Sequence, residues 1–362
     1  MPRSKPSQTM ITSVSAEPLN IPLYEPFTIS TGRVTALRNV LIRVTLADGT
    51  VGLGEAAPFF PSGGETQETA LAAIHGMIPL VQGQDAAHWR ALAMHLTDSF
   101  ELQETARTGM EMAVLDALTR SWEIPMYQFF GGAETRIETD ISIPIEAPKH
   151  MAELAQRYAG SGAGVLKLKV GSQVDDDIDR VLAVAEAAPD CDLILDGNQG
   201  FTPTEALDLI EGLADEDVHP ILFEQPVHRH DLEGLRFVTE RAGVAVAADE
   251  SVHTAADALR VAKMGAANVV NIKIMKYGIV EALNIATVCR AANIGLMVGA
   301  MIESRLGIAA SAHFVAGFGG FRYVDLDTPM LLAEDPFAGG FEQDGMVYDL
   351  EQVRAGHGVT LK

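Results

Sequence analysis

Cysteine is almost missing from this chain of 362 residues: only Cys191 and Cys289 occur, inside the apolar patterns "APDCDLIL" and "IATVCRAA". Two such thiols build no CxxC motif and no disulfide framework, so they read as buried thiols of a reducing compartment. Basic residues are scarce as well. Lysine and arginine total 26 against 49 aspartates and glutamates, a formal charge of -23. A surface of that sign repels nucleic-acid phosphates and anionic membranes, which argues against both as partners. No run approaches the roughly 18 apolar residues of a membrane span. The opening "MPRSKPSQTM" carries no apolar signal core, so a cytoplasmic protein is the expectation. A GxSxG elbow is missing, the glycine-rich stretches "FGGFR" and "EAAPFFPSGGET" lack a phosphate-loop lysine, and His228 and His230 have no third zinc ligand nearby. Serine hydrolysis, phosphate-loop chemistry and a zinc site therefore have no support, and "HRH" reads as exposed loop.

What remains is an ordinary globular composition, 48% hydrophobic and 21% charged, long enough for about two domains or for a barrel with one attached domain. "ITSVSAEPLNIPL" and "NVLIRVTLADGTVGLGEAAP" alternate apolar and polar residues around an "ADGT" turn, which predicts antiparallel strands. Helical periodicity follows from about Thr66 to Trp122, with Met110, Val114 and Leu118 on one face. Strands followed by helices predict an α+β domain.

After Phe129 to Gly132 the rhythm becomes strand then helix, repeated. Candidate strands are Ile137–Ile143, Val165–Val170, Leu193–Asp196, Ile221–Glu224, Val244–Ala248, Val269–Ile272, Gly295–Val298 and Tyr323–Leu326. Acidic or threonine residues open the intervening helices, as the helix dipole favours. This predicts an α/β fold, a (β/α) barrel whose eighth unit lacks a full helix before "EDPFAGG". The expected units are an α+β domain over 10–132, the barrel over 133–335 and a segment over 336–362 returning to the first domain.

Three acidic residues, Asp196, Glu224 and Asp249, close the apolar runs "DLILDGN", "PILFEQP" and "VAVAADES". The runs recur every roughly 25–30 residues, the length of one strand–helix unit. Singly, each acid reads as a strand-end or helix-cap carboxylate. Together, at matching strand termini, they converge on a barrel mouth, where three oxygen ligands suit Mg²⁺. Glu250 adds a carboxylate beside Asp249, and Asn198 is placed to support the ligands.

"LKLKVG" puts Lys167 and Lys169 on one face of a strand, inside the barrel. Alone, KxK reads as a solvated edge strand. Beside a carboxylate cluster, one lysine can lower the pKa of the other and leave it competent as a base. "VVNIKIMKYG" offers Lys273 or Lys276; Lys273 lies on the strand face and Lys276 in the following turn, which favours Lys273. Strands two and six face each other across a closed barrel, so Lys169 and Lys273 would flank a metal-bound carbon acid, as a racemase or epimerase requires. "GAMIESRLG" places Met301, Glu303 and Ser304 past the seventh strand, with Met301 and Glu303 as substrate contacts. "YVDLDTP" gives Asp325 and Asp327, either a helix-capping pair or a clamp for a substrate ammonium.

In the order "GLGEAAP", "DALTRSWEIPMYQFFGG", "LKLKVG", "LDGNQG", "FEQP", "ADES" and "NIKIMK", nearly the whole chain resembles the enolase superfamily in its muconate-lactonizing subgroup. The narrower signal, "VDLDTP" after "MIES", resembles the dipeptide epimerases. The resemblance implies a barrel of the modified TIM type under a capping domain, with Mg²⁺ on Asp196, Glu224 and Asp249. It implies Lys169 and Lys273 as acid and base in a 1,1-proton transfer through a metal-stabilised enediolate. Lys167 would assist near the substrate carboxylate, and Asp325 and Asp327 would anchor the amine. The implied substrate is an L,L-dipeptide inverted at its C-terminal residue, of the Ala-Glu type or hydrophobic. Muconate cycloisomerase, o-succinylbenzoate synthase and N-acylamino acid racemase are the alternatives on this scaffold.

One departure bears on specificity. L-Ala-D/L-Glu epimerases carry an arginine in the loop after the first strand. Here "LYEPFTISTGR" puts Gly32 at that position with Arg33 adjacent, and a slip of one residue restores the arginine. The loop otherwise offers Phe27 and Ile29, beside Phe59 and Phe60 of a second loop, which points to hydrophobic or broader dipeptides. Barrels commonly form homo-oligomers, the expectation here, but no interface is legible.

Overall fold

A computed structural model describes residues 7–29, 32–59 and 64–362. Phe60 lies outside the described residues, as does the side chain of Ile29. The chain opens with an antiparallel sheet of β1 (Ile11–Ile29), β2 (Gly32–Leu46) and β3 (Val51–Ala56). Period-two alternation divides β2 between two faces. Val40, Ile42 and Val44 enter a core with the following helices, while Leu37 and Leu41 join the larger core shared with the barrel.

The helices are α1 (Gln67–Val81), α2 (Trp89–Ser99) and α3 (Glu104–Ser121), then the short α4 (Met126–Phe130). The helical periodicity expected from about Thr66 to Trp122 is thus realised in three long helices. Gln82, extended at φ -64 and ψ 131, ends α1, and Gly83 at φ +85 turns the chain away. Helix α3 lies directly on β3, because Gly109, Ala113 and Ala117 form a small-residue stripe facing Gly52 and Gly54. A Cβ built at Gly54 would strike the carbonyl of Gly109, and one at Gly52 the backbone of Ala113 and Ala117.

Strand β4 (Arg136–Glu138) precedes eight parallel strands that follow one another in chain order around the sheet. They are β5 (Ile141–Ile143), β6 (Val165–Lys169), β7 (Asp192–Asp196), β8 (Leu222–Glu224), β9 (Val246–Ala248), β10 (Val269–Ile272), β11 (Gly295–Val298) and β12 (Phe321–Val324). The first and last meet where the Asp140 N–H donates to the Val324 carbonyl at 2.8 Å. Between them run α5 (Pro148–Gly160), α6 (Val174–Ala187), α7 (Pro203–Asp215), α8 (Leu232–Arg241), α9 (Ala255–Met264), α10 (Ile274–Tyr277) with α11 (Ile279–Ala291), and α12 (Arg305–Phe318). Thr202 with Glu205 and Thr254 with Asp257 form capping boxes on α7 and α9. No helix among the described residues is long and apolar enough to cross a membrane.

Several strand bounds shift by one or two residues from the sequence reading, and one difference is larger. The expected strand Ile137–Ile143 is two strands, because Thr139 N–H bonds Met346 O while Asp140 N–H bonds Val324 O, so the chain changes partners between them. Strand β4 pairs instead with β15 (Val347–Asp349), itself beside β14 (Glu342–Asp344). The eighth strand spans Phe321–Val324 against the expected Tyr323–Leu326, and, as the sequence implies, no full helix follows, only a 3₁₀ turn over Thr328–Leu331. In the C-terminal chain, β13 (Phe337–Gly339) pairs with β16 (Val359–Leu361). Buried Asp116 of α3 holds this chain, accepting from His357 N at 2.9 Å and from Leu53 N at 2.9 Å.

The contact of β3 with α3 sets a stability prediction. Gly54→Ala should cost about 3 kcal/mol, because backbone atoms of Gly109 and Ala113 stand in the way of the added methyl. Gly160→Ala, where nothing lies within 4 Å of the new Cβ, serves as the control and should stay within about 0.5 kcal/mol. Urea unfolding measures both; equal stability of the two variants would contradict the packing.

Candidate active site

Alternation along the strands builds the site in layers. Ile194, Leu222, Ala247, Val269, Met297 and Tyr323 form an apolar plug inside the lower barrel. Two residues further along their strands, and so on the same inner face, stand Asp196, Glu224, Asp249, Asn271 and Asp325. The register places Lys169 beside Asp196 and Asp196 beside Glu224 on adjacent strands. Lys273 follows Asn271 by the same spacing while the chain is still extended, with φ -110 and ψ 106.

These side chains form one ionic network. The Lys167 ammonium, fully buried, lies 2.6 Å from Asp325 Oδ2, 2.7 Å from Glu224 Oε2 and 3.1 Å from Asp196 Oδ2. Lys169 Nζ donates to Asp196 Oδ2 at 2.6 Å. Lys273 Nζ stands 2.8 Å from Asp249 Oδ2, and Lys276 Nζ donates to Asp249 Oδ1 at 2.6 Å and to its carbonyl at 2.7 Å. Asn271 Nδ2 donates to Glu224 Oε1 at 2.7 Å. Asp327 Oδ2 accepts the Ser142 N–H at 2.6 Å across the seam of the sheet.

Burial and charge pull the groups apart. Burial pushes the Asp196 and Asp249 carboxyls up, but the lysines beside them (Lys169 and Lys167; Lys273 and Lys276) hold both well below the carboxylate range. Burial, then the neighbouring Asp196, pushes Glu224 up to about 7. Glu250 is raised to about 7 by burial and then Asp249, and Asp327 to about 7 by burial and then Asp325. Burial disfavours the Lys273 ammonium, but Asp249 and Glu224 outweigh it and raise the pKa of the group.

A cleft opens over this network. Lys169, Asp249, Lys273, Asp325 and Asp327 line it from the barrel, with Phe27 and Phe59 from the N-terminal domain and Met301, Ile302 and Leu331 completing an apolar wall. Lys167, Asp196 and Glu224 lie beneath the lining side chains, and so does Glu303, which was expected at the substrate. Glu303 turns inward because its Oε1 accepts the Met301 N–H at 2.9 Å. Arg33 is exposed on β2, opposite Thr28, and is outside the cleft lining. Sequence reasoning missed Ser142, Asn271 and Asp140. Two-residue spacing from Lys273 could have found Asn271; Ser142 and Asp140 carry no local signal.

Among the described residues no three acidic groups stand in metal-ligand geometry; Asp196, Glu224 and Asp325 converge instead on the Lys167 ammonium. The donors nonetheless fit a hard divalent cation. Asp140, Asp196, Glu224, Asp249, Glu250, Asp325 and Asp327 outnumber Lys167, Lys169, Lys273 and Lys276. The Oε2 of Glu250 and both carboxyl oxygens of Asp140 are buried without a hydrogen-bond partner. An all-oxygen set with surplus negative charge is what Mg²⁺ binds.

Residues 10–131 match the mandelate racemase/muconate lactonizing enzyme N-terminal domain, and residues 150–362 the enolase C-terminal domain-like family. An aromatic dipeptide epimerase of Herpetosiphon aurantiacus is 46% identical over 354 residues, 98% of this chain and 99% of that protein. The L-Ala-D/L-Glu epimerase of Thermotoga maritima is 35% identical over 330 residues, 90% of this chain and 95% of that protein. The crystal structure of the dipeptide epimerase from Enterococcus faecalis, complexed with Mg and L-Leu-L-Tyr, matches with TM-score 0.93 and 34% identity, over 97% of this chain and 99% of that one. In sequence over nearly all of its length and in fold, the chain belongs to the mandelate racemase/muconate lactonizing enzyme family of the enolase superfamily.

Proposed function

We propose that this protein is a Mg²⁺-dependent dipeptide epimerase that inverts the C-terminal residue of L,L-dipeptides. One observation carries the reading: Lys169 and Lys273 line the same cleft from β6 and β10, four strands apart in an eight-stranded ring. They therefore approach a bound α-carbon from opposite sides. One removes the α-proton as general base and the other returns a proton to the opposite face, and the roles exchange with the starting configuration. Asp196, Glu224 and Asp249 would hold Mg²⁺, which supplies positive charge to the substrate carboxylate and so makes the α-proton removable.

The remaining groups position and select. Lys167 is committed to Asp196, Glu224 and Asp325, whose mutual repulsion its ammonium offsets. Asp327 faces the substrate ammonium beside Asp325; both line the cleft, Asp325 paired with Lys167 and Asp327 accepting from Ser142 N. Phe27, Phe59, Met301 and Leu331 support hydrophobic or aromatic dipeptides, and the position of Arg33 outside the cleft argues against a glutamate-only enzyme. This agrees with the aromatic dipeptide specificity named for the Herpetosiphon aurantiacus relative. The free thiols, Cys289 buried and Cys191 partly so, support a cytoplasmic location.

Three outcomes are expected. Incubation with Mg²⁺ and an L,L-dipeptide library in D₂O should add one mass unit to a subset rich in aromatic and aliphatic C-terminal residues. Exchange in none of them, read by mass spectrometry, would remove the epimerase reading. Asp327→Asn should raise KM for free dipeptides by about 10- to 100-fold, the worth of a charge-assisted hydrogen bond; an unchanged KM would place the ammonium elsewhere. Mg²⁺ at one hundred times its Kd should stabilise the fold by about 2.7 kcal/mol, through binding to the native state alone. Calorimetry with and without a chelator checks this, and an unchanged Tm would contradict the carboxylate site.

A further inference from the structure

We infer that Glu55, on β3 of the N-terminal domain, is a positioning residue that fixes the wall of the cleft around the N-terminal half of the substrate; this rests on the dipeptide reading above. Glu55 is fully buried, and its carboxylate is spent on the other side of the domain interface. Oε2 accepts from the Ser304 hydroxyl at 2.6 Å and from Gly307 N at 2.9 Å. Oε1 accepts from Ser304 N at 3.0 Å and from Asn39 Nδ2 at 2.6 Å. The same Asn39 amide donates to Ile302 O at 2.9 Å.

The segment gripped in this way supplies Ala300, Met301 and Ile302 to the cleft. Its far side is held by Thr328, whose hydroxyl donates to Glu303 O at 2.8 Å. Thr328 directly follows Asp327. A continuous path of hydrogen bonds and short backbone therefore runs from Glu55 through Ser304, Glu303 and Thr328 to the carboxylate facing the ammonium.

Capping α12 does not by itself require Glu55, since Ser304 Oγ already accepts from Leu306 N at 3.2 Å. A buried carboxylate is tolerated only when its oxygens are fully engaged, as they are here. What the position of Glu55 adds is the connection between domains. Glu111 of α3 provides an internal comparison. Its Oε2 accepts from Ile279 N at 2.8 Å and Val280 N at 3.1 Å at the start of α11, yet Glu111 is not among the side chains lining the cleft. Both are trans caps from one domain onto the other, and only Glu55 holds a substrate wall.

The test combines amide hydrogen exchange with steady-state kinetics on an accepted dipeptide. In Glu55→Gln, which sets an amide N–H₂ against several donors, amides of residues 300–307 should exchange about tenfold faster or more. KM should rise about tenfold with kcat within about threefold, the signature of lost binding in ground and transition states alike. Asn39→Ala should move both readings the same way by less, and Glu111→Gln should lower Tm with KM unchanged. Faster exchange with KM within about twofold of wild type, or unchanged exchange, would overturn the inference. If Glu55→Gln does not fold, Asn39→Ala and Thr328→Val decide by the same two criteria. A wild-type enzyme that turns over no dipeptide would fault the reaction assigned above, whereas exchange at 300–307 judges the Glu55 link on its own.

Discussion

Everything at the barrel mouth follows from like charges that cannot get away from one another. Adjacent strands of a sheet lie about 4.8 Å apart, so inward carboxylates level on neighbouring strands are held together by the backbone. Asp196 and Glu224 are such a pair, and Asp249 projects beside them from the next strand. Burial makes each charge expensive, and only interleaved ammonium groups make the set tolerable. Lys167 bridges three carboxylates, and Asp249 takes two lysines. The set behaves as one electrostatic unit with a deficit of positive charge, and the deficit selects a divalent cation.

The N-terminal domain completes this unit rather than merely sitting above it. Its sheet is drawn onto α3 by glycine and alanine, which lets two of its acids reach the barrel. Glu55 and Glu111 each satisfy the free N–H groups at the start of a barrel helix. Asp116, on the same helix as Glu111, ties in the C-terminal chain. With the domain fixed at these points, Phe27 and Phe59 reach the cleft that Lys169 and Lys273 line.

How much of this was legible depended on whether the signal was local. Strand–helix alternation, the apolar runs ending in acids and the same-face spacing of Lys167 and Lys169 all lie within a few residues, and all reappear in the barrel. Pairings across the fold left no such trace. Asp325 and Lys167 are 158 residues apart, so their buried ion pair could not be read beside the aspartate's place in the Asp-x-Asp motif. Glu303 sits in a motif beside the cleft, yet a hydrogen bond to Met301 two residues back turns it inward. Ile137–Ile143 reads as one β run because period-two alternation does not show a change of partner strand.

The central claim is that Lys169 and Lys273 serve opposite faces of one α-carbon. It is tested most directly by following α-proton exchange of each dipeptide epimer separately in D₂O, with Lys169→Ala and Lys273→Ala. The account predicts that neither variant epimerises, and that each still exchanges the α-proton of only one epimer, a different one for each variant. Exchange of both epimers by both variants would contradict it, because the protons would then be moving through some other group.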